Sequence, residues 1–208
     1  IAGNSFSKYR YLSNIYNLDK AIFNKKISLP ETSKSYHYKF LSKKHNSSGG
    51  LHVGNNMFSK NMYYQKYLPG KTYSISFIAN GEYSKILGFN QLFLVKDNIK
   101  YPFLHSGAMN LGLSEANIEF PKNFISRICN LYQIKGYCSI DFKIHDNKIY
   151  ILDFNPRLSS SYRLYTRKYE NLMYHHLGLI NNEVNMISEQ FYAYIILYAK
   201  KDLVISDS

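Results

Sequence analysis

The chain has 208 residues, 45% of them apolar, and a formal net charge of +12. That length allows one large domain or two small ones with a real core, and no apolar run reaches the ~18 residues of a membrane-crossing helix. The charge favours anionic partners such as a nucleotide, a nucleic acid or an acidic metabolite, although the lysines are scattered rather than clustered. The two cysteines, Cys129 and Cys138, suit reduced thiols in a cytoplasmic protein better than a disulfide framework. No signal peptide is visible, and the opening Ile1 reads as a fragment or a processed product.

Ile1 to Ser5 reads as a linker. From Tyr9 to Asn24 the apolar residues Leu12, Ile15, Tyr16, Leu18, Ile22 and Phe23 recur at roughly helical spacing, and Leu29-Pro30 ends the run. Tyr36 to Lys43 reads as a strand. The polar loop Lys44 to Gly50 follows, where Ser48, Gly49 and Gly50 can present successive backbone N–H groups to a phosphate beside the charge of Lys43. A plain surface turn is the commoner meaning of such a loop. Met62 to Leu68 is a short strand ending at Pro69-Gly70. Thr72 to Ala79 alternates cleanly, Asn80-Gly81 is a hairpin turn, and Tyr83 to Val95 returns with a bulge at Gly88. Asp97-Asn98 starts another turn. Pro121 to Tyr132 is a helix with Phe124, Ile125, Ile128, Cys129 and Leu131 on one face. Ser159 to Ser161 would cap a helix from Tyr162 to Leu177, closed by Gly178, and Tyr192 to Ala199 is a last apolar strand. The fold class is α+β, mostly antiparallel strands with a few flanking helices and no internal repeat.

The stretch Gly136 to Arg157 carries the most chemistry. It reads as two strands around a turn at Asp146-Asn147. With a loop of Asp146 to Lys148, His145 faces Ile149 and Asp141 lies opposite Asp153; Asn155 shares the face of Asp153. Two carboxylates and an amide oxygen form a hard ligand set that suits Mg2+ with bound phosphates, and Arg157 could grip a phosphoryl or carboxylate oxygen nearby. The competing meaning is an edge hairpin with solvated acids. Against it stands the apolar run Ile149 to Leu152, which would bury Asp153, where an unpaired carboxylate is costly. Cys138 falls on the opposite strand face and reads as core. His175-His176 reads as a helix end, and His52 and His105 show no partner. The 21 tyrosines could stack bases, yet most sit at strand spacing, so nucleic-acid binding ranks low.

The order of these parts, from the lysine strand and Ser-Gly-Gly loop through Gln65-Lys66-Tyr67-Leu68-Pro69-Gly70 and the long hairpin to Asp153-Phe154-Asn155-Pro156-Arg157, resembles the ATP-grasp superfamily of carboxylate–amine ligases. The resemblance runs from Ala2 to Ala199. It implies two α+β subdomains gripping a nucleotide. Residues 1–29 would be a leading linker and helix, 30–66 the glycine-loop lid and 67–208 the core with the metal site. It implies ATP and Mg2+ (or Mn2+) as cofactors, and small-molecule carboxylate and amine substrates joined through an acyl phosphate with ADP release. Membrane and nucleic acid are not implied, and homo-oligomerisation is left open. Lys43 would contact ATP phosphates; Ser48, Gly49 and Gly50 would form the lid. Gln65, Lys66, Tyr67 and Leu68 would be the hinge, whose backbone reads the adenine edge. Asp141, Asp153 and Asn155 would be metal ligands and Arg157 the catalytic acyl-phosphate contact. Within the superfamily the chain looks most similar to uncharacterised ligases of one-carbon cofactor pathways and to tyramine–glutamate ligase. The sequence departs from the family where Asn14-Ile15 replaces an Asp-Lys that touches ATP. It also departs at Asp153, where Glu is usual, and in the loop after Lys43, which lacks some glycines. The ligases carry a preceding α/β domain, and this chain starts where that domain should end. A nucleotide-binding module without ligase chemistry is the alternative.

Overall fold

The computed structural model describes residues 3–36, 38–44, 50, 53–54, 62–95, 101–111, 122–180 and 183–198. In chain order the strands are β1 (Ile27–Ser28), β2 (Thr32–Ser33), β3 (Phe40–Lys44), β4 (Val53–Gly54), β5 (Met62–Lys66), β6 (Thr72–Asn80), β7 (Ser84–Leu94), β8 (His105–Leu111), β9 (Lys135–His145), β10 (Lys148–Asn155) and β11 (Ala193–Ile195). The helices are α1 (Phe6–Leu12), α2 (Lys122–Tyr132) and α3 (Leu172–Leu177). Among the described residues the strands form two sheets. A seven-stranded sheet has the order β1-β10-β9-β6-β7-β8-β11, and a four-stranded sheet has the order β2-β5-β3-β4. Every pairing is antiparallel except β1 with β10. The chain passes from the small sheet to the large one through Tyr67 to Lys71.

Alternation along the central strands divides the large sheet into two chemically different faces. Ile75, Phe77, Cys138, Ile140 and Phe142 point to one side and are fully buried beneath α2 and the N-terminal segment, with Phe124, Ile125, Ile128 and Cys129 facing them. The other side presents Ser74, Ser76, Tyr137, Ser139 and Asp141. Its far end is covered by residues 160–172, where Leu164, Tyr165, Tyr169 and Leu172 pack on Ile78 and Leu87. The rest of that face is the floor of a cleft roofed by the small sheet. Cys138 is core, as expected. Leu131 is not: it is 52% exposed, because the buried stripe of α2 ends at Cys129.

Several expected elements differ in extent. The run Tyr9 to Asn24 is not one helix. α1 stops at Leu12, and two separate 3-10 turns follow at Ile15–Asn17 and Lys20–Ile22. The Asn14 and Asp19 side chains accept the backbone N–H groups of Tyr16 and Ala21, which restarts the chain at each point. Leu12, Ile15, Leu18 and Ile22 still reach the core, since a spacing of three or four suits either geometry. The segment Tyr162 to Leu177 is likewise broken into a 3-10 turn at Ser160–Leu164 and the short α3. Tyr165 donates its hydroxyl to Asn90 Oδ1 and Tyr169 donates to the Leu87 carbonyl, so the segment is drawn flat across the sheet. Gly178 does close α3 in the left-handed region. The strand expected from Tyr36 begins only at Phe40, β5 ends at Lys66, and β11 covers three residues. The bulge at Gly88 is present as a register shift opposite Ser76 and Phe77. The Asp97-Asn98 turn lies outside the described residues.

The start of β9 is held by the N-terminal segment. Asn4 Oδ1 accepts the Lys135 N–H at 3.0 Å, while its Nδ2 donates to the carbonyls of Lys135 at 2.9 Å and Pro156 at 3.1 Å. Gly136 beside it has φ +79, and a Cβ there would lie 2.7 Å from His176 Nδ1 and 3.0 Å from the His176 carbonyl oxygen. That Nδ1 accepts the Tyr137 N–H. Gly136→Ala should therefore destabilise the fold by about 2 kcal/mol or more in urea denaturation, from left-handed strain plus the displaced His176.

Candidate functional site

The cleft between the sheets has a volume of about 450 Å³. Its roof comes from Leu41, Lys43, Gly50 and Val53; its back wall is Gln65, Lys66, Tyr67 and Leu68; its floor includes Asp141, Asp153, Asn155 and Arg157. These are the expected site residues, gathered from positions over a hundred residues apart. Ser48 and Gly49 lie outside the described residues.

The floor depends on an irregularity in the β9–β10 hairpin. Asp146 and Asn147 both have positive φ, at 49° and 56°, the signature of a two-residue hairpin turn. His145 consequently faces Lys148, not Ile149 as expected from a three-residue loop. A regular ladder from that turn would set Asp153 opposite Ile140. The register instead shifts between Ile151 and Asp153, with Leu152 left over, and Asp153 pairs with Asp141 after all. Lys43 reaches down from β3 to this point. Its Nζ donates to the Leu152 carbonyl at 3.0 Å and to Gln65 Oε1 at 3.3 Å. Gln65 Nε2 in turn donates to the Tyr16 hydroxyl at 2.9 Å. Ile15 is buried in the core.

Asp141 and Asp153 are partly open to the cleft yet densely surrounded. Burial, and then the charge of Asp153, push the Asp141 carboxyl up to about 7 against the pull of Lys43 and Arg157. Burial pushes Asp153 up to about 6, again opposed by Lys43 and Arg157. Burial pulls Lys43 down, with the two carboxylates opposing. Two carboxylates so placed are short of positive charge, and their oxygens are hard donors, so the set fits a divalent cation such as Mg2+. Among the described residues no group of three or more His, Cys, Asp and Glu gathers anywhere, so the third oxygen would come from an amide. Asn155 stands there: its Nδ2 donates to Asp141 Oδ2 at 3.4 Å, and its Oδ1 accepts from Arg157 at 3.1 Å.

A buried hydroxyl network backs this floor. Ser139 Oγ donates to Ser159 Oγ at 3.0 Å, Ser159 meets Ser161 at 2.8 Å, and Ser161 meets the Tyr137 hydroxyl at 3.0 Å. Tyr137 continues to Ser76 at 2.8 Å, and Asn90 Nδ2 donates to Ser74 and Ser76. The far wall is more apolar, with Leu94, Phe103, His105, Tyr194, Ile196 and Tyr198. His105 does have a partner, contrary to expectation: its Nε2 lies 2.9 Å from the Tyr194 hydroxyl. Sequence reasoning also missed Lys143 and Ser139 in the cleft. Both sit two residues from Asp141 on β9, so the same alternation that pointed to Asp141 would have found them.

The raised carboxyl values fix a sign for stability. Both acids bind protons more tightly folded than unfolded, so stability contributed by their protonation is present near pH 4 and is lost as pH rises through 6 to 7. In thermal melts from pH 4.5 to 8, the wild type should lose stability relative to Asp141→Asn as the pH rises.

The family model of the ATP-grasp domain matches residues 12–161. An uncharacterised protein of Methanocaldococcus jannaschii is 28% identical over the whole of this chain, which spans 57% of that relative's length. Among solved structures, an ATP-grasp superfamily protein from Archaeoglobus fulgidus superposes with a TM-score of 0.61 at 18% identity, over 94% of this chain and 67% of the other. The biotin carboxylase domain of 2-oxoglutarate carboxylase from Hydrogenobacter thermophilus, in complex with MgADP, ADP and bicarbonate, superposes at 0.56 with 11% identity, over 73% of this chain and 42% of that one. The likenesses to solved structures agree in fold with the two-sheet architecture, and the matched span contains both the lysine strand and the acidic hairpin: the chain belongs to the ATP-grasp family.

Proposed function

We propose that this chain binds MgATP in the cleft and serves an ATP-dependent carboxylate–amine ligase that works through an acyl phosphate and releases ADP. The observation that carries the reading is the cross-strand pair Asp141–Asp153, short of positive charge, directly beneath the Lys43 ammonium between two sheets. In this reading residues 30–66 act as the lid and 67–208 as the core. Lys43 holds phosphate oxygens, the backbone of Lys66 and Leu68 meets the adenine edge, and Gly50 with Ser48 and Gly49 covers the phosphates. Asp141, Asp153 and Asn155 hold Mg2+, which when bound neutralises charge on the transferring phosphoryl group. Arg157 moves from Asn155 Oδ1 to the substrate carboxylate and keeps it in line with the γ-phosphate. The roof excludes water that would hydrolyse the activated acid. The complex of the Hydrogenobacter thermophilus relative with MgADP supports the choice of ligand.

One observation favours a second reading, nucleotide binding without ligase chemistry. The family's cation in the first helical segment is replaced by Ile15, which faces the core, and what that segment brings to Gln65 is the neutral Tyr16 hydroxyl.

Calorimetric titration of ATP with Mg2+ tests both. The wild type should bind in a metal-dependent manner, and Asp153→Asn should weaken binding about 10- to 100-fold while leaving the fold intact. Absence of binding by the folded wild type would defeat both readings. An ADP-release assay over amino acids and amines then separates them: acid-dependent ADP release that falls about 10²- to 10³-fold in Arg157→Gln supports the ligase. Binding with no acid-dependent release supports the second reading.

A further inference from the structure

Lys143 is a buried ammonium that the proposed chemistry does not use. It sits on β9 two residues from Asp141, on the same strand face, and is 8% exposed. Its Nζ donates to the Leu68 carbonyl at 2.7 Å and the Gly70 carbonyl at 2.9 Å, both in the crossing between the sheets. It also lies 5.2 Å from the centroid of the Tyr67 ring. Among the described residues no carboxylate forms an ion pair with it.

An ammonium carries three N–H donors, and two are spent on carbonyls. The remaining one belongs to a side chain that lines the cleft. Leaving a desolvated cation with an unmet donor is costly; the Tyr67 ring face is a weak partner, and beside Lys143 the cleft face of the sheet continues through Thr72 to the apolar Leu92. Two strand residues cover about 6.8 Å, so Nζ is set back from the acidic pair towards the hinge. A nucleotide with its phosphates at Asp141 and its base at Leu68 would pass its sugar and α-phosphate by this point.

We propose that Lys143 is a ligand-binding residue whose third N–H donates to an oxygen of the nucleotide between base and β-phosphate, either a ribose hydroxyl or the α-phosphate. This rests on the nucleotide reading above. The same ammonium then holds the hinge carbonyls and the ligand at once, so the crossing between the sheets is set when the ligand is bound.

The test is a cycle of ligand and side-chain changes on the full chain, read by calorimetry with Mg2+. The probes are ATP, 2′-deoxy-ATP, 3′-deoxy-ATP, AMP and adenosine, against wild type and Lys143→Met. The variant should bind ATP about 10- to 100-fold more weakly. If the oxygen is a sugar hydroxyl, removing it weakens the wild type and leaves the variant unchanged. If it is the α-phosphate, the gain from adenosine to AMP disappears in the variant. Equal losses in wild type and variant for every probe would reduce Lys143 to a clamp on the hinge and overturn the proposal. Should the variant not fold, reductive methylation of the wild type decides. Protection of Lys143 by saturating MgATP supports the contact, and equal modification with and without MgATP overturns it. Failure of the nucleotide reading shows separately, as wild type that binds none of the probes.

Discussion

The Lys43 ammonium joins the two sheets at a place where the large sheet interrupts its own ladder. Leu152 is the residue left over by the register shift in β10, and its carbonyl accepts Lys43 Nζ. The shift brings Asp153 level with Asp141, and the same lysine arrives from above to offset part of their charge. Loss of the bulge would turn Asp153 towards the core face, since one residue of slip inverts every side chain. The acidic pair, the lysine and the gap between the sheets are thus one construction. None of the three has its present geometry without the other two.

The rest of the molecule works to keep this region polar without leaving it unsatisfied. The core side of β6 and β9 is apolar, while the cleft side is mostly serine, threonine, tyrosine, acid and the ammonium of Lys143. Buried hydroxyls and amides need partners, and they find them in one another, from Asn90 to Ser159. Residues 160–172 gain their path from hydrogen bonds as much as from packing, because Tyr165 and Tyr169 enter the sheet as hydrogen-bond donors.

The sheet was largely legible because alternation survives in sequence: Thr72 to Ala79 and Ile140 to Ile144 declare their faces residue by residue. The Asp141–Asp153 pairing was reached through a three-residue loop that does not exist. The true turn is one residue shorter, and the unannounced bulge at Leu152 returns the missing step. A bulge without glycine leaves no compositional mark. The helices fared worse, because spacing of three or four does not separate an α-helix from successive 3-10 turns. The side-chain caps of Asn14 and Asp19 decided between them. His105 and Tyr194 illustrate what no local pattern shows. Their contact depends on β11 adding to the far edge of the sheet, 89 positions away in the chain.

The hydroxyl network also has a direction. Asn90 is its one member with a fixed donor end and a fixed acceptor end. Its carbonyl oxygen takes the Tyr165 proton, and its amide hydrogens go to Ser74 and Ser76. Tyr137 spends its own proton on Ser76 and is left to receive from Ser161. Followed outward, each hydroxyl hands its hydrogen inward, and Ser139 gives its proton to Ser159. What reaches the cleft at Ser139 is therefore a pair of electrons rather than a hydrogen. At Ser139, beside Asp141, the network therefore ends in an acceptor, an oxygen free to receive a proton or a cation among the ammonium and guanidinium groups that line the same cleft.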